Sequence, residues 1–308
     1  MSTSQRILIQ TVIALIAIII NYVAPEFAEN SRYLLLAIII LLIGMPHGAL
    51  DHHIDGTLEG WNPYTLNKRF YTQYFFLMGI YSVFWIYFPF FSFMFFLLIT
   101  LYHFGQADAM RFNVTGLEKW SIHLTRGITV VGLIIFGDLE YSSSIIEAVT
   151  NISIYKASIG VYNPNIVKWV VAGFYPFIFI LIVLFSKQHI AHKLIYFIDA
   201  IIVSALFFYC DLVWAFAVYF GIWHSYNHAL IMLKYLNSKK HSINFAWFFK
   251  QSFLFSLLSY IGLLFVYNML SAFGNEELLI SLLFVVIAIL TLPHMMVVEK
   301  LYTRWDGS

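Results

Sequence analysis

The sequence predicts an all-α fold, a polytopic integral-membrane helical bundle of about ten transmembrane helices. Hydrophobic residues make up 61% of the 308 positions and charged residues only 11%, whereas an ordinary soluble domain carries roughly 25% charge. Apolar runs of about 20 residues, the length that crosses the hydrocarbon layer, recur along the whole chain. These runs are also compatible with eight or nine spans. They predict a single integral-membrane helical domain that covers residues 1–308.

Breaks in the apolar pattern separate ten predicted spans. Pro89 separates the third from the fourth, because proline lacks the N–H that a continuing helix needs. Cys210 and Asp211 separate the seventh from the eighth. The polar interval 138–165 predicts an outer loop with a short interfacial helix around Ile145 to Tyr155. The predicted spans are 6–24, 33–50, 71–88, 90–104, 121–137, 166–185, 193–210, 212–236, 247–270 and 278–298.

The distribution of Lys and Arg predicts the orientation, because cytoplasmic loops carry the excess of positive charge. With ten spans and the N-terminus inside, all but three of the 17 Lys and Arg fall on the inner side, Arg126 among them. The outer three are Arg32, Lys156 and Lys168. Both termini are therefore predicted to be cytoplasmic, in a multi-pass protein of the cell membrane.

Charge and cysteine content exclude several classes of protein. A formal net charge of +1 without a basic run argues against nucleic acid as a partner. The single cysteine, Cys210, excludes an intrachain disulfide and any cysteine-rich zinc or iron–sulfur site. A metal site in this chain would have to use other ligands.

Five histidines lie at the ends of apolar spans or well inside one, where an imidazole is costly unless something binds it. In the predicted topology all five fall in the cytoplasmic half of the membrane. They are His47, His103, His224, His228 and His294. The other histidines outside the motif at 44–53 are predicted at loops or helix entrances, without a special role. These are His123, His189, His192 and His241.

The most specific spacing is that of His224 and His228. Residues four apart lie on one helix face with their Cβ atoms about 6 Å apart, so the two imidazoles can bind one metal ion. The alternative is that both are hydrogen-bonded to neighbouring helices. At this depth in the membrane, metal ligation is the favoured interpretation.

The segment 44–53 contains three histidines and an aspartate, and its proline and glycines predict a distorted helix end. If the helix continues, His47 and Asp51 share a face. His47 is then a ligand, and Asp51 accepts an N–H from a ligating imidazole and fixes its tautomer. His53 is expected at the solvent-exposed end of the helix. For His52, a ligand role and a solvent-exposed position are both open.

The last two histidines are less specific. His103 lies beside aromatic residues, where a lone histidine is usually a satisfied core residue, and only its matching depth favours a site role. His294 follows a proline inside an apolar run. It is open as a fifth ligand, a proton relay or a structural donor, and we favour a role in supporting the ligands.

An imidazole-rich site without cysteine suits iron, copper or zinc rather than magnesium or calcium. The apolar surroundings point to an apolar substrate delivered from the bilayer, and an open coordination position would admit dioxygen. The residues alone therefore favour an iron-dependent membrane oxygenase. Two alternatives stay open: a membrane di-iron desaturase or hydroxylase with histidine boxes, and a non-enzymatic haem or metal carrier.

Four motifs resemble, in order, those of the Brp/Blh family of bacterial and archaeal β-carotene 15,15′-dioxygenases. The motifs are PHGALDH from Pro46, YHFG from Tyr102, WH from Trp223 followed by His228, and TLPH from Thr291. The resemblance runs from about the second span to the tenth. The chain departs from the family pattern at Gln106, Asn227 and His53.

The resemblance implies a non-haem iron(II) enzyme that splits the central double bond of β-carotene with dioxygen into two molecules of all-trans-retinal. Its partners would be the lipid bilayer that supplies β-carotene, dioxygen, and a microbial rhodopsin that receives the retinal. The implied Fe(2+) ligands are His47, His103, His224 and His228. The supporting or alternative ligands are Asp51, His52 and His294.

A long polyene requires an apolar channel that crosses the metal site. The residues on the same helix faces as the ligands and displaced outward from them are expected to line it. These residues are Ile43, Phe96 and Phe220.

Overall fold

A computed structural model describes residues 3–109, 116–155, 163–185, 190–239, 243–271 and 276–305. The elements assigned within these ranges are helices, joined by short turns. The helices are α1 (Thr3–Val23), α2 (Pro25–Ile39), the π-helical segment Ile40–Gly44, α3 (Met45–Gly48), α4 (Asp51–Glu59), α5 (Lys68–Tyr87), α6 (Pro89–Ala109), α7 (Gly116–Phe136), α8 (Leu139–Thr150), α9 (Pro164–Phe185), α10 (Ile190–Tyr209), α11 (Leu212–Val218), the π-helical segment Tyr219–Ser225, α12 (Tyr226–Lys239), α13 (Phe245–Ser271) and α14 (Glu276–Arg304).

The chain is a polytopic membrane protein of the all-α class, as predicted. In the described residues, five helical stretches are long and apolar enough to cross a membrane. The bent pair α7 and α8, whose axes differ by 91°, would make a sixth. The five stretches are Ser4–Val23, Pro25–Glu59, Pro89–Asp108, Phe245–Phe265 and Ser281–Arg304. The count of ten spans and the cytoplasmic termini stay predictions.

Two helix boundaries lie where the sequence predicts them. Pro89 is the first residue of α6, a position at which its missing N–H costs no helical hydrogen bond. Asp211 precedes α11 and caps it, because its carboxylate accepts from the backbone N–H groups of Val213 at 3.0 Å and Trp214 at 3.1 Å. Asp211 therefore marks the break between α10 and α11.

The second span was predicted to end at residue 50, where a turn at Ala49 and Leu50 interrupts the helix, and the end of the membrane span stays a prediction. The helical path continues through α3 and α4 to Glu59, where Gly60 ends it with a φ of 76°. His53 was expected at a solvent-exposed helix end, and this is wrong, because His53 is only 2% exposed and His52 8%. Both histidines are part of the protein interior.

Three further predictions are corrected. The interval 138–165, predicted to be an outer loop, contains the helix α8, which begins at Leu139 rather than near residue 145. His123 does not lie at a helix entrance, because α7 begins at Gly116 and buries His123 in its third turn. Arg126, counted as an inner surface charge, is fully buried inside α7. His189 and His241 lie outside the described residues.

The chain forms two compact units. The first unit comprises Met1–Ile40, Leu101–Ser142 and Ser158–Asn227. Within it α1 packs on α10, α2 on α11, and α7 on α9. The backbones of α6 and α7 lie in direct contact: a methyl group added to Gly105 would lie 1.9 Å from the carbonyl oxygen of His123. One added to Gly127 would lie 2.0 Å from the carbonyl oxygen of Leu101. Small residues allow this approach.

The second unit comprises Leu41–Thr100, Ser143–Ala157 and His228–Ser308. Within it α14 packs on α4 and α5, and α13 packs on α3. Its buried core is largely aromatic and contains Tyr81, Trp85, Phe93 and Phe96, with Phe284 packed against them. The prediction of one domain over residues 1–308 stays a prediction.

Candidate functional site

Three of the predicted histidines form a cluster in the second unit. His47 comes from α3, His228 from α12 and His294 from α14, and all three are at least 94% buried. Their ring centroids are 5.5 Å apart for His47 and His228, 5.1 Å for His47 and His294, and 5.5 Å for His228 and His294. The rings therefore form a nearly equilateral triangle, which we call the imidazole triangle.

Each ring of the imidazole triangle has its Nδ1 atom at hydrogen-bond distance from another group. His47 Nδ1 lies 3.2 Å from the carbonyl oxygen of Ile43, and His228 Nδ1 lies 2.5 Å from the hydroxyl oxygen of Tyr302. His294 Nδ1 lies 2.9 and 3.0 Å from the two carboxylate oxygens of Asp51. These contacts fix the ring orientations.

Asp51 is therefore the hydrogen-bond partner of the His294 imidazole, and its predicted role beside a metal-ligating imidazole stays a prediction. The carboxylate is 4% exposed, and it also accepts a hydrogen bond of 2.9 Å from the hydroxyl of Tyr74. Neither Tyr74 nor Tyr302 was identified from the sequence. Both lie far along the chain from the groups they contact, so no local spacing pointed to them.

His52 and His53 lie outside the imidazole triangle. The ring of His52 packs against those of His53, at 4.3 Å, and Phe255, at 4.8 Å. His53 packs against Tyr64 and Trp247, at 5.1 and 5.0 Å. Both imidazoles thus belong to an aromatic cluster.

His103 and His224 form a pair in the first unit. Their ring centroids are 4.8 Å apart and nearly perpendicular, and both residues are at least 97% buried. His224 also packs edge-on against Phe104 at 4.6 Å and stacks on Phe220 at 5.5 Å. Aromatic packing holds the His224 ring on two sides.

A buried charged network lies on the helices that carry this pair. Arg126 donates to Asp108 at 2.6 Å and to Asp199 at 3.0 Å, and all three side chains are inaccessible to solvent or nearly so. Tyr219 donates to Asp108 and Trp223 to Asp199, each at 2.8 Å. Trp223 is the neighbour of His224 in the chain. This network was not predicted from the sequence, although charged residues inside apolar runs indicate that buried partners are present.

The three residues expected to line a channel differ in their surroundings. Ile43 is half-buried and its carbonyl oxygen contacts His47. Phe220 is half-buried and stacks on His224. Phe96 instead belongs to the aromatic core of the second unit, where its ring lies 4.8 Å from that of Phe284. Their contact with a substrate stays a prediction.

The donor atoms of the imidazole triangle are chemically suited to a transition metal, since neutral imidazole nitrogen binds iron, copper and zinc. Nitrogens bound to one ion at about 2.1 Å place their ring centroids roughly 4.6–5.3 Å apart, from octahedral to tetrahedral ligand angles. The observed separations of 5.1 and 5.5 Å lie at or just above the upper end of this range. In the described ranges, no group of three or more His, Cys, Asp or Glu side chains is positioned to hold a metal ion in this structure.

Comparison with known proteins identifies the family. The family model described as "Beta-carotene 15,15'-dioxygenase" matches residues 38–302, a range that includes every histidine of the triangle and the pair. The chain belongs to this family. The predicted resemblance is confirmed, and the chain is assigned to a class of oxygenases.

One curated relative supports the assignment to the β-carotene 15,15′-dioxygenase family. It is the "Beta-carotene 15,15'-dioxygenase" of uncultured marine bacterium 66A03, which is 24% identical over 274 residues. The alignment covers 86% of this chain and 92% of the relative. No solved structure matches the chain. The family assignment therefore rests on sequence, and the site geometry on the structure described above.

Proposed function

We propose that the chain is a non-haem iron(II) dioxygenase that cleaves the central 15,15′ double bond of β-carotene with dioxygen. The reaction breaks one carbon–carbon double bond and consumes one O2. Each half of the polyene keeps one oxygen atom as an aldehyde, so the products are two molecules of all-trans-retinal. The family assignment and the buried, cysteine-free set of imidazoles support the proposal.

The iron would be held by neutral imidazoles, which suit Fe(2+) and leave its charge at +2. When bound, the iron would supply the electrons that let dioxygen react with a closed-shell polyene. The residues proposed as ligands are His47, His103, His224 and His228. Asp51, Tyr302 and the carbonyl group of Ile43 orient imidazoles, since each contacts an Nδ1 atom.

The chain itself would bind and position the substrate. A polyene is rigid, so the position of its central double bond determines which bond is cleaved. Phe220 stacks on His224, and Ile43 contacts His47 through its carbonyl oxygen. The apolar side chains of both residues would contact the polyene and exclude water. β-Carotene would enter from the lipid of the cell membrane, with the iron in the cytoplasmic half. Retinal would pass to a microbial rhodopsin.

Expression in a host that accumulates β-carotene tests the activity. The expected result is loss of the orange pigment and formation of retinal, identified by chromatography of the extract. Under 18O2, each retinal molecule should carry one labelled oxygen if the extract is reduced to retinol at once, which prevents exchange with water. Unchanged pigment without retinal, despite membrane expression and iron supply, would refute the proposal.

Substitutions of the proposed ligands test the residues. His224→Ala and His228→Ala should each abolish retinal formation, because each removes a donor nitrogen. His241→Ala, at a position predicted to lie in a loop, is expected to keep near wild-type activity. Unchanged retinal formation after substitution of both His224 and His228 would disprove their role in the reaction.

A further inference from the structure

We propose that His294 is a direct ligand of the metal, alongside His47 and His228, and that Asp51 and Tyr74 hold it in the ligating orientation. The inference rests on the proposed iron chemistry and extends its ligand set. It concerns the second unit, where all five residues lie. A supporting role was the favoured expectation for His294, and the structure argues for a direct one.

The imidazole triangle is nearly symmetric. His294 is as close to His47 and His228 as these two are to each other, within 0.4 Å. A residue that only supports a ligand contacts that ligand with a polar atom and stands behind it. His294 instead occupies a third corner that is equivalent to the other two.

The hydrogen bonds at Nδ1 also determine the tautomer of the rings. A carbonyl oxygen and a carboxylate only accept hydrogen bonds, so Nδ1 of His47 and Nδ1 of His294 both carry the proton. In the neutral ring the lone pair is then on Nε2. His228 attains the same state when its Nδ1–H donates to Tyr302. All three rings are thus prepared to ligate through Nε2.

The hydrogen bonds of Asp51 also favour a direct role for His294. A carboxylate that accepts the N–H of an imidazole orients the ring and raises its basicity, an arrangement typical of metal-binding histidines. Asp51 accepts from His294 with both oxygens and is held by the Tyr74 hydroxyl. The carboxylate of Asp51 is charged, so it is a stronger acceptor than the carbonyl oxygen that contacts His47.

Metal binding by purified protein tests the inference without reference to turnover. Fe(II) is titrated anaerobically against a competing chelator, and iron per chain is measured. His294→Gln should raise the Kd for Fe(II) by about as much as His47→Gln does. Asp51→Asn should raise it about 10- to 100-fold, the usual cost of losing a partner of a ligand, and Tyr74→Phe by less.

Matched controls separate a local effect from general damage. Asp55→Asn removes the next buried carboxylate of α4, which pairs with Lys300 and Trp61 instead. Tyr81→Phe removes a buried hydroxyl that donates to a backbone oxygen. His123→Gln removes a buried histidine of α7. All three controls should bind iron with the wild-type Kd. If the loss of any buried polar group weakened binding through general damage to the fold, the Kd of the controls would rise as well.

Chemical rescue distinguishes a ligand from a positioning residue. His294→Gly leaves a space that free imidazole fills, so added imidazole should restore Fe(II) binding. With Co(II) as the probe, the visible spectrum of this variant should change and then return with imidazole. A residue that merely supports His47 would alter affinity without this spectral response.

The inference is overturned if His294→Gln binds iron with wild-type stoichiometry and Kd, or if its Co(II) spectrum is that of the wild type. In that case the proposed iron enzyme stands with its four ligands. Failure of the proposed function has a different signature, since the wild type itself would then bind no iron or form no retinal.

Discussion

In the second unit, hydrogen bonds hold the three imidazoles of the triangle, whereas in the first unit the ring of His224 packs between aromatic side chains. Each ring of the imidazole triangle contacts a backbone oxygen, a hydroxyl or a carboxylate through Nδ1. In the first unit, Phe104 and Phe220 lie against His224. That unit also contains a separate buried charged network around Arg126.

This difference shows two ways to place an imidazole in an apolar interior. A hydrogen bond to Nδ1 sets both the ring orientation and the tautomer, so it prepares the ring for a metal. Aromatic packing sets the orientation alone. The helices of the first unit must then be fixed by other interactions, which are the buried network of Arg126 and the direct contact between α6 and α7. Disruption of these features should therefore affect stability first in the first unit and metal affinity first in the second.

The largest effect is expected for Arg126→Leu. The substitution leaves the carboxylates of Asp108 and Asp199 buried without their cation, which typically costs about 3–5 kcal/mol of unfolding free energy. Thermal unfolding of the protein in detergent measures it. Arg32→Leu breaks a partly exposed ion pair with Asp211 and serves as the control, at about 0–1 kcal/mol. Equal losses in the two variants would show that the network does not stabilise the first unit.

A smaller loss is expected for Gly105→Ala. The added methyl group would lie 1.9 Å from the backbone oxygen of His123, so α6 and α7 must separate, at a cost of about 1–3 kcal/mol or more. Gly79→Ala, where no atom lies within 4 Å of the new methyl group, is the matched control. It should be neutral or slightly stabilising, because alanine is the better helix former. Both are compared by thermal unfolding and by yield of folded protein.

Tyr302→Phe should leave stability nearly unchanged and weaken Fe(II) binding about 10-fold. The substitution removes the oxygen that lies 2.5 Å from His228 Nδ1, which frees the orientation and tautomer of that ring. Anaerobic titration measures the affinity. Tyr87→Phe, at a side chain that is 71% exposed, is the control. A wild-type Kd in Tyr302→Phe would mean that hydrogen bonding does not prepare the triangle.

Local chemistry in the sequence predicted much of the fold. Pro89 begins a helix and Asp211 caps one because these effects depend on adjacent residues alone. The metal-binding role of His224 was predicted from helical spacing and membrane depth, and it stays a prediction. The motif match selected the family, which the comparison confirms.

Interactions between distant segments could not be predicted. Asp51 and His294 are 243 positions apart, so their contact left no local pattern. The segment after Asp51 was interpreted as a solvent-exposed helix end because the distant partners of its polar residues could not be known from the sequence. Asp55 is in fact paired with Lys300 and Trp61. Arg126 was assigned to the surface for the same reason.

The most direct test of the account is the relation between iron and activity in the purified wild-type protein. The protein is stripped with a chelator and reloaded with increasing Fe(II), and retinal formation from β-carotene is measured at each step. The account predicts no retinal from the stripped protein and a rate that rises linearly to saturate near one iron per chain. Full activity without iron, or saturation near two irons per chain, would contradict it.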